Sequence, residues 1–539
     1  MSEMVPPPLF LSGFMGTGKS TVARILAERA GVPFLDLDAA IEEEAGQSIE
    51  AIFAGEGEAS FRSLEAAVFR KVLDQPGPRV VALGGGALLD STSRRAAIER
   101  GRVVTLVADP ETITGRVAGS VRPLLEVAPA PLSAADRRAR IRDLLARRAS
   151  IYTEAHAQIR TDGRSPEAIA AAVHKAWLEQ THLVPLGLRS YPVRITSNAP
   201  EALLELTSVL RPSAVYLITD TTVRDLWGTA FIRALEHLPI ALSLAIEPGE
   251  PSKRLTVIEH LLSTLIEAGA DRDALLVAHG GGVVSDIAGF VAATLFRGVR
   301  WVAVPTSLLG MVDASIGGKT GVDLGDAKNA VGAFHQPSAV FIDPSHVATE
   351  TMRAYRSGLA EVVKSACVGD APLLDLLERE AERVLARDPS VVAELVSRSA
   401  ALKVSIIGRD ERESGDRALL NFGHTLGHAL EAQGGYSRLL HGEAVSLGMV
   451  GTLRVGCELG LTPAADADRV IRLLARLGLP VDLTAEPLDL AIRLLGRDKK
   501  RRGSTLHEVF LRRIGEALRC PMDVVDLGER FLRTAAASA

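Results

Sequence analysis

The chain has 539 residues, of which 47% are hydrophobic and 24% charged, a composition typical of globular proteins with several domains. Its formal net charge of −5 leaves no basic excess for a large nucleic-acid footprint, so we expect no nucleic-acid partner. The three cysteines are too widely spaced for a disulfide framework, and charges or prolines interrupt every apolar run before it reaches membrane-spanning length. We therefore expect a cytoplasmic enzyme with no membrane partner and no signal peptide.

The first 178 residues alternate strand-like runs with amphipathic helices. Residues 8–14 are a short, mainly apolar run and residues 102–109 are rich in β-branched side chains, while residues 20–31 have the apolar spacing of a helix that ends at a glycine. Ser165 followed by Pro166 predicts the start of a further helix that runs to about Glu179. This alternation predicts a sandwich with a parallel sheet.

A phosphate-binding motif lies between the first strand and the first helix. The segment fits G-x-x-x-x-G-K-S, in which glycines turn backbone N–H groups toward phosphate oxygens and the lysine reaches the terminal phosphates. A GTPase would also need an Asn-Lys-x-Asp element, which does not occur. The sequence therefore predicts a site for ATP with Mg²⁺, formed by Gly13, Gly16, Thr17, Gly18, Lys19, Ser20 and Thr21, with Ser20 as a magnesium ligand.

Two carboxylates and several arginines follow this motif. Asp36 and Asp38 stand at the end of the second strand, where alternation predicts that both point to one side. One could then serve magnesium and the other a substrate hydroxyl. Arginines around a glycine turn suit an anionic substrate such as a carboxylate; the residues concerned are Arg62, Gly84, Gly85, Gly86, Arg122 and Arg148.

In this order the motifs resemble shikimate kinase over roughly residues 8–178. The resemblance implies that Asp38 holds the shikimate hydroxyls and acts as the base, and that Asp36 supports magnesium. It further implies that Arg62 and Arg148 bind the substrate carboxylate together with the Gly84–Gly86 turn. Arg122 would belong to a lid over ATP, and Arg116 would lie near the adenine.

Periodicity is lost over residues 179–190, where we predict a linker. A second series of strands and helices follows and predicts an α/β domain over 191–345 with a Rossmann-like fold. From 346 to 539 helical spacing dominates, which predicts a mainly α-helical domain.

The second half contains a glycine turn and a possible metal site. Gly281 and Gly282 lie between a strand and a helix, where a turn permits close approach of a pyrophosphate. His424 and His428 are four residues apart on one helix, and His441 and Glu361 come from other segments. Two histidines and one carboxylate suit a catalytic zinc, although any one of these histidines could equally be a buried core residue.

A set of motifs covering about residues 190–530 resembles 3-dehydroquinate synthase: PGEPSK, GGGVVSDIAGF, VPTSLL, VDASIGGKTGVD, KNAVGAF, GLAEVVK, LLNFGHTLGHALE, LHGEAV and DKK. The resemblance implies Glu361, His424 and His441 as ligands of Zn²⁺ (or Co²⁺), with His428 as an acid–base group. It implies that substrate is bound by Lys319, Lys364, Asn329, Lys403, Arg417, Asn421 and Lys499. It implies that NAD is bound by Asp220, Glu250, Lys253, Gly281, Gly282, Asp286, Thr306, Ser307, Asp313, Lys319 and Lys328.

The two resemblances together imply a fused enzyme of the shikimate pathway. One half would phosphorylate shikimate, and the other would convert 3-deoxy-D-arabino-heptulosonate 7-phosphate to 3-dehydroquinate and phosphate, regenerating its NAD. The synthases of this family are dimers in which an arginine reaches the neighbouring subunit's site, so we expect a homodimer with Arg297 in that role. Two alternatives remain open: a related sugar-phosphate cyclase with another substrate, or a regulatory protein in which one half is inactive.

Overall fold

A computed structural model describes residues 6–118, 133–238, 240–325, 327–495 and 505–537. The chain divides into two compact units. One comprises the residues up to Pro192 together with Leu203–Arg211, and the other comprises Val193–Ala202 and the residues from Pro212 onward. None of the described helices is long and apolar enough to cross a lipid bilayer.

The strands of the described residues are, in chain order, β1 Leu9–Gly13, β2 Phe34–Asp36, β3 Val80–Ala82, β4 Arg102–Val107, β5 Ala157–Arg160, β6 Gln180–Val184, β7 Tyr191–Ile195, β8 Val215–Asp220, β9 Ile240–Ile246, β10 Leu275–Gly280, β11 Arg300–Pro305, β12 Lys319–Leu324, β13 Ala327–Phe334, β14 Ala339–Ile342, β15 Thr505–Arg513 and β16 Glu516–Asp523.

The α-helices are α1 Lys19–Ala30, α2 Leu37–Ala45, α3 Ile49–Gly55, α4 Gly57–Leu73, α5 Ser91–Arg100, α6 Pro110–Arg116, α7 Ala134–Thr153, α8 Pro166–Leu178, α9 Ala199–Leu210, α10 Thr221–Val223, α11 Thr229–Ala234, α12 Leu255–Glu267, α13 Gly282–Thr294, α14 Met352–Gly369, α15 Ala371–Arg379, α16 Ala381–Leu385, α17 Pro389–Arg409, α18 His424–Gln433, α19 His441–Glu458, α20 Ala464–Arg476, α21 Leu488–Leu495 and α22 Val524–Ala536. Short 3₁₀ helices span Gly187–Arg189, Glu250–Ser252, Leu295–Arg297, Pro344–Thr349, Asp416–Asn421 and Leu483–Ala485, and π-helical turns span Arg224–Gly228 and Gly310–Ala314.

The first sheet is parallel, with the strand order β2-β3-β1-β4-β5. β1 is the central strand, and because its neighbours β3 and β4 run parallel to it, the carboxyl ends of all three strands lie at the same edge of the sheet. Apolar residues of α1 and α8 cover one face of the sheet and those of α4 cover the other. Ser165 accepts a hydrogen bond from the backbone of Ala168 and Pro166 begins α8, which confirms the predicted helix start. The predicted parallel sandwich is confirmed.

The sheet of the second unit has the order β7-β14-β11-β10-β8-β9, and these strands pair in parallel. β10 is buried along its whole length, as expected of a parallel strand covered on both faces. The segment 179–190, predicted to be a linker, contains β6 and the 3₁₀ helix Gly187–Arg189. Its five-residue strand is too short to give a clear alternating signal.

Helices dominate from Met352 onward, as the spacing predicts. α14 is buried along most of its length, which places its carboxylate and lysine side chains in the interior. The antiparallel hairpin of β15 and β16 was not predicted within this helical region. β15 buries four consecutive residues from Glu508 to Leu511, a pattern that does not alternate and so gives no simple strand signal.

Candidate active sites

The phosphate-binding loop is preformed between β1 and α1. Gly13, Gly16 and Gly18 have φ angles of +135°, +77° and +93°, which side chains other than glycine rarely adopt. A Cβ on Gly16 would lie 2.8 Å from the Val117 side chain, and one on Gly13 would collide with the carbonyl oxygen of Leu106. The loop therefore requires glycine both for its backbone conformation and for its close packing.

Polar side chains of the motif lie along this loop. Lys19 Nζ donates to the carbonyl oxygens of Gly13 and Phe14 at 2.9 and 3.1 Å, and Thr17 Oγ1 donates to Phe14 at 2.8 Å. Ser20 and Thr21 are exposed in the first turn of α1. The predicted cradle residues are thus together at the N-terminus of a helix, where a phosphate group is favoured.

Arg116 lies beside the same loop. Its guanidinium donates to Thr161 Oγ1 at 2.9 Å and to the Thr161 carbonyl at 3.0 Å, with a longer contact of 3.4 Å to the carbonyl of Gly16. Its role near the adenine stays a prediction. Arg122 lies outside the described residues.

The alternation argument for the two aspartates is wrong, because β2 ends at Asp36 and a helix begins at Leu37. The Asp36 carboxylate caps that helix by accepting from the backbone N–H of Asp38 at 3.1 Å. Asp38 is a residue of the first helical turn, and its carboxylate oxygen lies 2.6 Å from where a Cβ of Gly84 would be. Asp38 therefore faces the glycine turn.

Two arginines also converge on the turn. Arg148 is buried and donates to the Gly85 carbonyl at 3.0 Å, and Tyr152 donates to the same oxygen at 2.8 Å. A Cβ on Gly86 would collide with the Arg62 guanidinium. The structure thus brings together Asp38, Arg62, Arg148 and the glycine turn, although they are far apart in sequence.

Glu65 is a member of this cluster that we did not predict. It is buried, and its Oε2 accepts from Arg62 at 2.6 Å. Burial raises the pKa of Glu65; Arg62 opposes this shift and the nearby Asp38 adds to it. Its position three residues after Arg62 on one helix face was a usable signal.

A candidate metal centre lies where three helices meet. Glu361 is in α14, while His424 and His441 are the first residues of α18 and α19. Glu361 Oε1 lies 3.8 Å from His424 Nε2 and 3.5 Å from His441 Nε2. The ligand atoms of all three residues lie within 4.8 Å of one another, so the predicted set is together.

The chemistry of these donors fits a divalent cation. Glu361 Oε1 is buried and accepts no hydrogen bond from the described part of the chain. His424 Nδ1 lies 3.2 Å from the Phe422 carbonyl and donates to it, which leaves Nε2 with a lone pair facing Glu361. Burial lowers the pKa of His441, but the opposite effects of Glu431 and Glu361 are together larger and raise this pKa to about 9. Two carboxylates thus act on His441, and a carboxylate with two histidines is a donor set that suits Zn²⁺.

His428 lies next to this centre, with its ring centroid 5.2 Å from that of His424. His428, Glu431 and His441 form a second group of ligand atoms within 4.8 Å. Both oxygens of Glu431 already have partners, however, namely Lys328 at 3.0 Å and His441 Nδ1 at 3.4 Å. The first group is therefore the better metal site, and His428 lies beside it.

The glycine turn of the second unit joins β10 to α13. Gly281 caps α13, and a Cβ there would lie 3.3 Å from Ser307 Oγ; one on Gly282 would lie 3.0 Å from Ala314. Thr306 donates its backbone N–H to Gly280 at 3.0 Å. Asp220 ends the neighbouring strand β8 at the same edge of the sheet. This arrangement suits a dinucleotide pyrophosphate.

A network of charges connects other residues predicted to bind NAD. Lys253 is buried and donates to Asp286 Oδ2 at 2.8 Å and to the side-chain oxygen of Asn329. Lys328 Nζ lies 3.3 Å from Glu250. These residues come from three segments of the chain, namely 250–253, α13 and β13, and they meet beside the glycine turn that precedes α13.

Cationic groups predicted to bind substrate surround Asp313. Lys403 donates to the Asp313 carboxylate and to its carbonyl oxygen, the latter at 2.6 Å. Lys364 forms an ion pair with Glu361. Burial lowers the pKa of Lys403 to about 8; Asp313 opposes the shift, while Arg417 and Lys364 add to it. Such a concentration of buried positive charge suits an anionic substrate.

Glu413 joins two further predicted substrate residues and was itself not predicted. Its carboxylate forms an ion pair with Lys319 and accepts from Asn421 Nδ2 at 2.6 Å. Glu413 has a φ of +60°, which is uncommon for a residue other than glycine. It lies in a charged loop without periodicity, so no sequence signal marked it. Lys499 lies outside the described residues.

Arg297 lies in a turn with an unusual backbone. Phe296 and Arg297 have φ angles of +49° and +69°, and Phe296 is 37% exposed. Strained conformations of this kind are often found at functional sites.

Residues 15–177 match the shikimate kinase family. Residues 243–357 match the family described as 3-dehydroquinate synthase N-terminal, and residues 358–501 match 3-dehydroquinate synthase C-terminal.

The 3-dehydroquinate synthase of Ruegeria sp. (strain TM1040) is 42% identical over 348 residues, which are 63% of this chain and 93% of that protein. Among solved structures, a 2-epi-5-epi-valiolone synthase from Streptomyces hygroscopicus subsp. jinggangensis 5008, with NAD⁺ and Zn²⁺ bound, is 32% identical, with a TM-score of 0.60 across 65% of this chain and 97% of that one. A shikimate kinase from Acinetobacter baumannii in complex with shikimate is 36% identical across 32% of this chain and 92% of that one, with a TM-score of 0.29. Through its C-terminal part the chain belongs to the 3-dehydroquinate synthase family, and its N-terminal part is a shikimate kinase domain.

Proposed function

We propose that the two units carry out two separate reactions of the shikimate pathway. The first unit phosphorylates the 3-hydroxyl of shikimate with ATP and Mg²⁺. The second converts 3-deoxy-D-arabino-heptulosonate 7-phosphate to 3-dehydroquinate and phosphate, with NAD and Zn²⁺ (or Co²⁺). The observation that carries this proposal is that each set of predicted site residues meets within its own unit.

In the kinase, the residues at the glycine turn divide the work of binding and proton transfer. Arg148 and Arg62 bind the shikimate carboxylate, and Gly86 is needed beside them because a Cβ there would collide with Arg62. Asp38 accepts the proton of the attacking hydroxyl. Lys19 holds the transferred phosphate, and Ser20 and Asp36 would hold Mg²⁺, which would supply charge neutralisation.

In the synthase, Glu361, His424 and His441 would hold the metal, which supplies Lewis-acid polarisation of a ring hydroxyl. NAD supplies a reversible hydride acceptor, so the reaction involves no net oxidation. Lys364, Lys403, Arg417 and Lys319, with Asn421, bind the carboxylate and phosphate of the substrate. His428 moves a proton at the reacting carbons or hydroxyls. The buried positive charge around Asp313 supports this assignment because the substrate is an anion.

The solved 2-epi-5-epi-valiolone synthase supports the choice of cofactors, since it binds NAD⁺ and Zn²⁺. Because that enzyme is itself a related cyclase, a cyclase with another substrate is the second candidate function of the C-terminal unit. The curated relatives favour 3-dehydroquinate synthase, because they are 42% identical and the structural neighbour is 32% identical. Phosphate release from the heptulosonate phosphate, compared with release from other sugar phosphates, separates the two.

The oligomeric state and location follow from the same assignment. We infer a homodimer in which Arg297 of each chain completes the synthase site of the other. The positive φ angles at Phe296 and Arg297 support a functional role for this turn, because strained backbone conformations are often found at functional sites. Both reactions use small metabolites, so we place the enzyme in the cytoplasm. Assays of ADP release with shikimate and of phosphate release with the heptulosonate phosphate, on one preparation, test the proposed function as a whole.

A further inference from the structure

Glu431 is a buried carboxylate that contacts two different sites. It belongs to α18, seven positions after His424, and is 3% exposed. Its Oε2 lies 3.4 Å from Nδ1 of His441, and its Oε1 lies 3.0 Å from Nζ of Lys328. A buried carboxylate is costly unless both oxygens are satisfied, and here one oxygen faces each partner.

The contact with His441 determines which ring nitrogen is available. A carboxylate accepts hydrogen bonds, so His441 donates from Nδ1 to Glu431 and retains a lone pair on Nε2. Nε2 is the atom that lies 3.5 Å from Glu361 Oε1 in the candidate metal centre. Carboxylates that receive the second N–H of a ligating histidine fix its orientation and its tautomer.

The contact with Lys328 reaches the other cofactor's site. Lys328 Nζ is shared between Glu431 and Glu250, which lies at 3.3 Å, and it lies 5.4 Å from the centre of the Tyr436 ring. Glu250 also lies 3.7 Å from Lys253, the centre of the charged network beside the glycine turn. Without Glu431, Lys328 would lose one of these two carboxylate partners and the position they define.

We propose that Glu431 is a positioning residue for both cofactors: it orients His441 for the metal and Lys328 for the dinucleotide. The inference rests on the proposed metal and NAD sites. Glu431 is not a metal ligand in this account, because both of its oxygens are already engaged. A single substitution at this position therefore weakens two binding equilibria, although it removes no group that contacts either cofactor.

The test uses the full chain, stripped of metal and titrated separately with Co²⁺ and with NAD. Glu431→Gln keeps the size of the side chain but removes its charge. We expect Co²⁺ affinity to fall about 10- to 100-fold, the usual effect of losing such an outer partner. NAD affinity should also fall. Lys328→Met should weaken NAD binding and leave Co²⁺ affinity close to that of the parent chain. Glu458→Gln, a substitution at the far end of α19, should change neither affinity.

A second measurement reports on His441 itself. In the Co²⁺-loaded protein, proton NMR resolves the exchangeable ring N–H signals of ligating histidines far outside the ordinary range. We expect one of the two signals to shift and to exchange faster with solvent in Glu431→Gln, while the signal of His424 stays in place because its N–H contacts Phe422. If Glu431→Gln does not fold, Glu431→Asp keeps the charge on a shorter side chain. It should show smaller losses of Co²⁺ and NAD affinity and a smaller shift of the same ring N–H signal.

Unchanged Co²⁺ affinity with unchanged N–H signals would overturn the proposal, and so would loss of only one of the two affinities. If the parent chain bound neither Co²⁺ nor NAD, the proposed cofactor sites themselves would be wrong, so failure of the proposed function is distinguishable from failure of this inference.

Discussion

Arg148 donates a 3.0 Å hydrogen bond to the carbonyl oxygen of Gly85, and this contact ties α7 to the turn between β3 and α5. The arginine is buried, so its guanidinium is already desolvated before any substrate arrives. A carboxylate placed against it gains a charge-assisted bond in a fixed geometry.

Arg148→Ala should therefore raise the KM for shikimate and leave ATP binding nearly intact. A hydrogen bond to a charged group contributes about 1.5–3 kcal/mol, which corresponds to a rise of roughly 10- to 150-fold. Arg148→Lys keeps the positive charge but lacks the planar guanidinium, so its KM for shikimate should lie between those of the parent chain and Arg148→Ala. Arg147→Ala, at the neighbouring exposed arginine, is the matched control and should change neither constant. An equal loss of ATP affinity in Arg148→Ala would refute the assignment.

The second prediction concerns the proposed homodimer, in which Arg297 of one chain acts in the synthase site of the other chain. Chains with Arg297→Ala and chains with His424→Ala are each expected to lack synthase activity. Half of the dimers in a random equal mixture are heterodimers, and each heterodimer has one intact site of two, so the mixture should recover roughly a quarter of all sites. Mixing His424→Ala with Glu361→Ala should restore none, because both changes damage the same metal set. No recovery in verified heterodimers of the first pair would count against a shared site.

A third prediction concerns pH and the partly buried Glu350, whose Oε2 accepts from the backbone N–H of Leu308 at 3.1 Å. Burial raises its pKa to about 7, against the opposing effects of the Leu308 N–H and Arg387. The folded protein thus holds this proton more tightly than the unfolded chain, and stability falls as pH rises from about 4.5 to about 7.

Glu350→Gln removes this titration and keeps an acceptor for Leu308. The variant should be more stable than the parent at pH 8, by about 1–3 kcal/mol, and nearly equal to it at pH 5. Urea unfolding followed by tryptophan fluorescence at the two pH values measures the difference. Glu382→Gln, at an exposed position, should show no such dependence on pH. A Glu350→Gln variant with the same relative stability at both values would show that burial does not control this carboxyl.

The sequence predicted the parts of both sites that are formed by local segments. The phosphate loop and the turn at Gly281 are strand–glycine–helix motifs, and their conformations follow from residues that are adjacent in the chain. Asp36 ends its strand as predicted, but the predicted alternation from Asp36 to Asp38 is wrong, because Asp36 caps a helix that begins at Leu37.

Residues that act through distant contacts were the ones that sequence reasoning missed. Glu431 meets Lys328 across 103 positions of the chain, and Glu413 meets Lys319 across 94. Isolated glutamates in a helix or a charged loop look like solvated surface residues. Their roles depend on burial and on partners that only the folded structure brings near. Glu65 differs, because its spacing from Arg62 was visible in the sequence.

If one chain carries two independent active sites, two substitutions, one in each site, should separate the two activities. Lys19→Met removes the charge that holds the terminal phosphates, so kinase turnover should fall by orders of magnitude while synthase turnover is unchanged. His424→Ala removes a metal ligand, so synthase activity should vanish while the kinase is unchanged. A zinc-selective chelator with excess Mg²⁺ should reproduce the second pattern on the parent chain.

The decisive measurement records ADP release and phosphate release on the same preparation of each variant, with folding checked by circular dichroism. We expect Lys19→Met to abolish ADP release and spare phosphate release, and His424→Ala to do the reverse. Loss of both signals from either single substitution in a folded chain would contradict it.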